Sequence, residues 1–479
     1  MWIIDENNKT PLYIQLYGQI KADISDGTLK AGTKLKSSRE ISAELHISRN
    51  TVELAYGQLY AEGFISSKPR RGYYVEPIEA GTFAGCEAEK DSGTGEGGAS
   101  NIAYDFKCGK SLLSELPCNL WKRLTGRCFH EYRENLALQG SVFGETGLRM
   151  EIQKYIRHYR NVQCTAEQIV VAAGTQFCLG LASQLLKAVN GDAGIAMEEP
   201  GYDQSRVTFC NSGLQIYPAA LDQHGLDINA LAAMDAAAAY TTPSHQFPTG
   251  TVMPLSRRRE LAQWAIDKDA YIIEDDYNCH FQHDLKPLPS IQSLCTDRVF
   301  YIGGFSDILF PCIRVSYMVV PENLIEKLHG WYDGYAPFVP FLTQKPLELF
   351  MKEGYWESHL RKMKKHQKEK SKALVNALRD KFGESIHISG FHAGLHLLVQ
   401  ARWPVKEEEL VRRAYRNGIG VYPTSKYWQN PAENQNGTVL LNFGGISPAD
   451  IPAAAELLYK AWRESGPGAM KDFDTGSFA

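Results

Sequence analysis

The stretch Gly81 to Ser100, GTFAGCEAEKDSGTGEGGAS, is rich in Gly, Ser, Ala and Glu and carries no apolar periodicity. A segment of this kind has nothing to bury, so the chain on either side must make its own core. As a flexible coil of about twenty residues it spans roughly 25 Å, enough to let the parts it joins reposition. Downstream, the apolar runs Ile169 to Ala172, Tyr271 to Ile273, Val299 to Ile302 and Val315 to Val320 alternate with helical patterns, which predicts a mostly parallel α/β sheet. From Pro346 onward helices dominate, with a charged stretch around Glu357 to Lys372, before a mixed segment containing Gly394 to Leu398 that reads as a smaller α+β domain. The expected division is residues 1–77, a linker over 78–101, a large domain over 102–345, a small C-terminal domain over 346–465 and a disordered tail over 466–479.

The 479 residues, 44% hydrophobic and 22% charged, are ample for such cores. The start MWIIDENNKTPLY lacks a basic segment followed by an apolar one, and no run approaches the roughly 18 apolar residues of a membrane span. The expected location is therefore cytoplasmic, with no membrane partner. Ten cysteines (Cys86, Cys108, Cys118, Cys128, Cys164, Cys178, Cys210, Cys279, Cys295 and Cys312) form no C-x-x-C pair, so they are expected to be reduced and structural, with no metal site. A net charge of −4 excludes a uniformly basic nucleic-acid binder and confines any DNA contact to a local basic surface.

Such a surface is present near the N-terminus. Between Lys36 and Gly63 the apolar positions Ile41, Leu45, Ile47, Val52, Leu54, Ala55 and Leu59 fit two short helices around a turn at His46-Ile47-Ser48. This is helix-turn-helix spacing, with Ser38 expected to cap the first helix, Arg39 at its start, and Ser48 capping the second. Arg49, Asn50 and Thr51 then stand on the leading edge of a recognition helix, where such side chains reach base edges and phosphates in a major groove. Phe64 to Val75 reads as a β-hairpin with Lys68, Arg70 and Arg71 at its tip, a basic wing suited to phosphate or minor-groove contact. The alternative is a helical hairpin with solvated charges. The stretch from Pro11 to Ser67 closely resembles the winged helix of GntR-type repressors, and on that resemblance Arg39, Arg49 and Thr51 are DNA contacts. The wing departs from the usual Gly-rich tip by carrying Pro69-Arg70-Arg71.

In the larger part, several motifs point to one pocket. Gly174-Thr175-Gln176 opens a helix after a strand, where backbone N–H groups and the positive helix end suit a phosphate. Glu199-Pro200-Gly201-Tyr202 follows the Ile195 to Glu198 strand and aims Tyr202 at a flat ring. PSHQFPTG (Pro243 to Gly250) is a turn-rich loop, and Glu274-Asp275-Asp276-Tyr277 ends a strand where an Asp can pair with a protonated ring nitrogen and a Tyr can bond a ring oxygen. Carboxyl ends of parallel strands are where such folds bind ligands. Taken singly, each motif also reads as a cap, a turn, a core tyrosine or a solvated carboxylate.

Gln176, Tyr202, PSHQFPTG, Asp275, Tyr277, Ser306 and Arg314 occur in the order and approximate spacing of fold-type I aminotransferases. PSHQFPTG, EDDY and FSDILFPCIRVSY resemble MocR-type regulators in particular, which fuse a GntR-type winged helix to an aminotransferase-like domain. The resemblance runs from Pro11 to about Trp462. It implies an α/β fold with an N-terminal winged helix-turn-helix, a pyridoxal-phosphate-dependent transferase-like large domain and a small α+β domain. It also implies a homodimer, often with DNA-binding heads exchanged between subunits, that binds double-stranded operator DNA and responds to pyridoxal phosphate and an amine effector. Thr175, Gln176, Tyr202, Asp275, Tyr277, Ser306 and Arg314 are the implied cofactor contacts.

The pattern breaks at Asp307, the position of the lysine that holds pyridoxal phosphate as a Schiff base. A carboxylate cannot condense with an aldehyde, which needs a primary amine. No catalytic residue is therefore assigned, and covalent attachment is not expected. Gln139-Gly140 stands where a Tyr-Gly usually reaches the partner's phosphate site. The usual arginine for the effector carboxylate falls near Thr438, with no arginine between Arg416 and Arg463 and Lys426 a partial substitute. Two readings of the pocket remain: noncovalent capture of a preformed amine such as pyridoxamine phosphate or a cofactor–amino-acid adduct paired with Asp307, or a vestigial pocket in a dimerisation scaffold. An active aminotransferase would need another lysine, such as Lys286 or Lys426.

Overall fold

The computed structural model describes residues 2, 4–5, 10–68, 72–77, 102–191, 194–283, 288–431 and 437–463. The linker expected over 78–101, the tail over 466–479, and the residues Arg70, Arg71, Cys86 and Lys286 lie outside them. The chain forms two compact units, Met1–Ala99 and Ser100–Ala479.

In the first unit, α1 (Leu12–Ser25), α2 (Ser38–Leu45) and α3 (Arg49–Ala61) are followed by an antiparallel hairpin of β1 (Ile65–Lys68) and β2 (Gly72–Val75). Leu16, Ile20, Ile41, Val52, Ala55, Tyr56 and Leu59 meet in one core. The cap of α2 is Ser37, not Ser38. The Ser37 side chain accepts from the Glu40 backbone N–H while Glu40 answers the Ser37 N–H, a reciprocal capping box that a serine one residue later could not close. Ser48 caps α3 as expected, accepting from the Thr51 N–H. His46 takes the left-handed conformation that ends α2 (φ 54°). Leu54, read as a core position, is instead 59% exposed. Its neighbours Val52, Ala55 and Leu59 already make the inward stripe of a short helix, and Leu54 falls beside it. Glu62 ties α3 to α1 through Tyr17 and Lys21, and those contacts hold its carboxyl down at about 2.

The second unit is built on an eight-stranded sheet and a smaller four-stranded one. Its strands in chain order are β3 (Tyr104–Asp105), β4 (Ile169–Ala172), β5 (Gly194–Glu199), β6 (Ile216–Asp222), β7 (Gly225–Leu226), β8 (Ala236–Thr241), β9 (Tyr271–Asp275), β10 (Val299–Gly304), β11 (Ser316–Val319), β12 (Ile386–Ser389), β13 (His396–Ala401), β14 (Ile419–Gly420), β15 (Tyr422–Pro423) and β16 (Thr438–Asn442). The large sheet runs β4-β11-β10-β9-β8-β5-β6-β7, parallel from β10 through β6, with β11 antiparallel to both its neighbours and β7 antiparallel to β6. The central strands are buried on both faces, which is why they read as unbroken apolar runs. The expected α/β fold with a mostly parallel sheet is the one observed.

The antiparallel sheet β12-β13-β16-β15 is backed by the helices Tyr355–Phe382 and Ile451–Arg463. The charged stretch Glu357 to Lys372 lies within the first of these. The preceding helix, Phe341–Lys352, runs through Pro346, so the division drawn between 345 and 346 falls inside a helix. β3 pairs in parallel with β14, which joins the start of this unit to its C-terminal portion. No helix among the described residues is long and apolar enough to cross a membrane, and none of their side chains form a metal-binding cluster.

Candidate ligand cavity

The turns after β4, β5, β8, β9 and β10 converge on a cavity of about 340 Å³. Thr175, Gln176, Tyr202, Asp275, Tyr277, Ser306, Asp307 and Arg314 all line it. The motifs, far apart in sequence, share this place because each follows a strand whose carboxyl end opens on the same side.

At one end a helix start and a guanidinium meet. Thr175 and Gln176 begin the helix α4 (Thr175–Asn190), whose first N–H groups have no partner within the helix. Gly174 caps it at φ 97°, and a Cβ there would stand 2.6 Å from Arg314 Nη2, so glycine is required both by the backbone and by the guanidinium packed against it. Arg314, itself left-handed at φ 48°, donates to Gln176 Oε1 at 3.2 Å and forms no ion pair among the described residues. Gln176 in turn donates to Gln204, which accepts the Tyr202 hydroxyl at 2.8 Å.

Strand alternation sorts the EDDY carboxylates. Glu274 accepts the backbone N–H groups of Ile291 and Gln292, each at 2.9 Å, and Asp276 accepts from Arg160, Ser244 and Tyr301, so both serve the interior. Asp275 faces the cavity and accepts the Tyr240 hydroxyl at 2.8 Å. Burial pushes its carboxyl up to about 7, with Asp276 and Asp307 adding to the rise. The wall beside it is aromatic: Phe247 lies edge-on to Tyr202, Tyr277, Tyr427 and His396 at centroid distances between 4.7 and 6.2 Å.

Asp307 has neither a hydrogen bond nor an ion pair with any described residue. Burial raises its carboxyl and Arg314 draws it partly back. Lys426, weighed as a partial substitute for the missing arginine, pairs with Asp203 at 3.6 Å and lies over the Tyr427 ring. Thr438 does not line the cavity; two steps on, Leu440 is buried against Phe247 and Tyr427, and Asn442 reaches the lining. The segment Cys108 to Ser111, Asn278, His280 and His396 also line it and were missed. No local motif marks them, since they arrive through long-range packing.

In the first unit, Arg39, Arg49 and Asn50 are exposed around the capped start of α3, and Arg49 pairs with Glu53 at 2.8 Å. The Thr51 hydroxyl is bonded to that of Ser48 at 2.8 Å. Lys68 ends β1 with its ammonium over the Tyr74 ring at 4.6 Å. The other two wing cations lie outside the described residues.

A winged helix joined to an aminotransferase body defines a class of DNA-binding transcription regulators. Residues 12–75 match the family "Bacterial regulatory proteins, gntR family", and residues 114–427 match "Aminotransferase class I and II". The chain belongs to the MocR-type group of GntR regulators. It is 34% identical over 463 residues to the uncharacterized HTH-type transcriptional regulator YhdI of Bacillus subtilis (strain 168), covering 96% of this chain and 97% of that protein. It is 29% identical to the probable rhizopine catabolism regulatory protein MocR of Rhizobium meliloti, with 96% of each chain covered. The second unit superposes on Pyrococcus horikoshii kynurenine aminotransferase with a TM-score of 0.68 at 22% identity, over 76% of this chain and 92% of that one. LysN, an α-aminoadipate aminotransferase of Thermus thermophilus solved with N-(5'-phosphopyridoxyl)-L-leucine, gives 0.66 at 23% identity, over 76% and 92%. The fold is thus fold-type I, a family associated with pyridoxal phosphate, and the winged helix implies DNA as a partner.

Proposed function

We propose that the aminotransferase-like body is the ligand-reading half of this regulator, and that it holds a pyridoxal-type ligand in its amine form through noncovalent contacts alone. The observation that carries this is Asp307: a carboxylate without a partner among the described residues, in the same cavity as Arg314, a cation without an ion pair among them. Two opposite charges left open in one cavity suit a ligand with an anion at one end and an ammonium at the other. When bound, a pyridoxal-type group supplies a flat ring bearing an exchangeable amino or carbonyl function. Thr175, Gln176, Ser306 and Arg314 would hold its phosphate, Asp275 its ring nitrogen, Tyr202 and Tyr277 its ring, and Asp307 its ammonium.

Calorimetric titration of the full chain with pyridoxamine phosphate tests this. Binding is expected, and Asp307→Asn should weaken it by about tenfold or more, the loss of one charge-assisted hydrogen bond. Absence of binding by any amine-bearing pyridoxal derivative would overturn the reading and leave a scaffold.

The body is also proposed to pair two copies. Phe177, Leu138 and Tyr335 are exposed apolar side chains, at 38%, 66% and 59%, and Phe177 follows directly on the anion-binding Gln176. A second copy covering them would close the phosphate end and bring two winged helices, exchanged or not, to paired half-sites in double-stranded DNA. Such work places the protein with the chromosome, in the cytoplasm. Sedimentation of the full chain as a monomer at micromolar concentration would count against the pairing.

A further inference from the structure

The charges of the cavity go further than the choice of an amine, on the basis of the reading just proposed. Six ionisable acids and bases among the described lining residues carry the argument: Lys110, Asp203, Asp275, Asp307, Arg314 and Lys426. Lys110 is bound to Asp105, which also accepts the Tyr422 hydroxyl at 2.6 Å. Lys426 is paired with Asp203 and rests on the Tyr427 ring at 4.8 Å. That leaves Arg314 as the one cation of this described lining without an acidic partner, and it belongs to the anion-binding end at Gly174 and Gln176.

Among the described residues, the wall contributed by the small sheet and its loops is otherwise neutral. It consists of Leu395, His396, Tyr427 and Asn442 beside Lys426. His396 donates from Nε2 to the Pro248 carbonyl at 3.1 Å, and burial lowers its imidazole to about 4, so it carries no charge near neutral pH. Asn442 is uncharged: its Oδ1 accepts the Gly444 N–H at 3.0 Å, and its amide supplies at most a neutral donor and no counter-charge. A second anion on the ligand would meet Asp307 and Asp275 with, among the described lining residues, no unpaired cation beyond Arg314 to offset them.

We infer that the cavity selects a phosphorylated amine with no carboxylate next to its ammonium, so that its ligand is pyridoxamine phosphate itself or the adduct of a simple amine rather than of an amino acid. The selectivity comes from what the wall lacks: a carboxylate entering there loses its hydration and gains no counter-charge.

The test compares two probes that differ by one carboxylate, N-(5'-phosphopyridoxyl)-L-leucine and N-(5'-phosphopyridoxyl)-3-methylbutylamine, titrated into the full chain beside pyridoxamine phosphate. The carboxylate-free probe should bind about tenfold or more tighter. Asn442→Arg, which supplies a cation to the wall, should narrow or reverse that ratio. Equal or tighter binding of the leucine probe would overturn the inference while leaving the amine reading intact. A leucine probe whose tight binding is lost in Lys426→Gln would overturn it too, naming Lys426 as the carboxylate's partner. Failure of all three ligands to bind would remove the amine reading and this inference together.

Discussion

Replacing Asp275 with asparagine should stabilise the free protein while weakening its hold on a ligand with a protonated ring nitrogen. The buried carboxyl sits at about 7, against 3.8 for an unperturbed group. Between those values the folded chain binds more protons at this site than the unfolded one, so stability falls as pH rises, and the loss is complete above about pH 7. The gap corresponds to up to about 4 kcal/mol, an upper limit because the interior relaxes around a buried charge. The substituted amide would keep an oxygen to accept the Tyr240 hydroxyl, which now donates to Asp275 at 2.8 Å, and would carry no charge to bury. Thermal unfolding of Asp275→Asn and the parent, followed side by side at about pH 4, 6 and 8, should show nearly equal stability at the first and the largest advantage for the variant at the last. A difference that stays constant with pH, or a variant less stable at the highest pH, would refute the reasoning. In the same variant, pyridoxamine phosphate should bind more weakly, since the neutral amide cannot pair with a pyridinium; stability and ligand affinity would then move in opposite directions.

Gly174→Ala places a Cβ against Arg314 in a backbone region open almost only to glycine, and should cost about 1–3 kcal/mol in thermal stability and weaken phosphate-bearing ligands in calorimetry. Arg160→Met strands Asp276, whose carboxylate the guanidinium meets at 2.6 Å in a site almost without solvent, and should destabilise the second unit by about 3–5 kcal/mol in denaturant unfolding. Ser48→Ala removes the oxygen that accepts the Thr51 N–H and should lower the stability of the first unit by about 1 kcal/mol, read by hydrogen exchange across α3. Arg49→Gln should reduce DNA affinity in fluorescence anisotropy and, if Arg49 meets a phosphate, flatten the dependence of log affinity on log salt by about one per site; an unchanged slope with relaxed sequence preference would assign it to a base instead.

What the sequence determined by itself was local or ordered along the chain. The Ser48 cap, the hairpin and the helix-turn-helix spacing depend on contacts a few residues apart. The separation of Asp275 from Glu274 and Asp276 follows from the period of two along any strand. That a carboxylate, Asp307, stands where the resemblance leads one to expect a lysine is read from the order of the surrounding motifs. Where reading failed, a nearby alternative competed: Ser37 and Ser38 are both good caps, and only the one three residues before Glu40 closes the box. The boundary drawn at Pro346 falls inside the helix from Phe341, which passes through the proline because the packing of buried Leu347, Phe350 and Met351 outweighs one missing hydrogen bond. The tertiary structure alone decided which groups meet across hundreds of residues: β3 against β14, Asn442 and Cys108 in one cavity with Asp307, Lys426 drawn to Asp203. It also decided which charges stay open. A residue's identity states that it carries a charge, but whether that charge is spent on the protein or left for a ligand depends on its neighbours in space, and those are chosen by the packing of the whole fold.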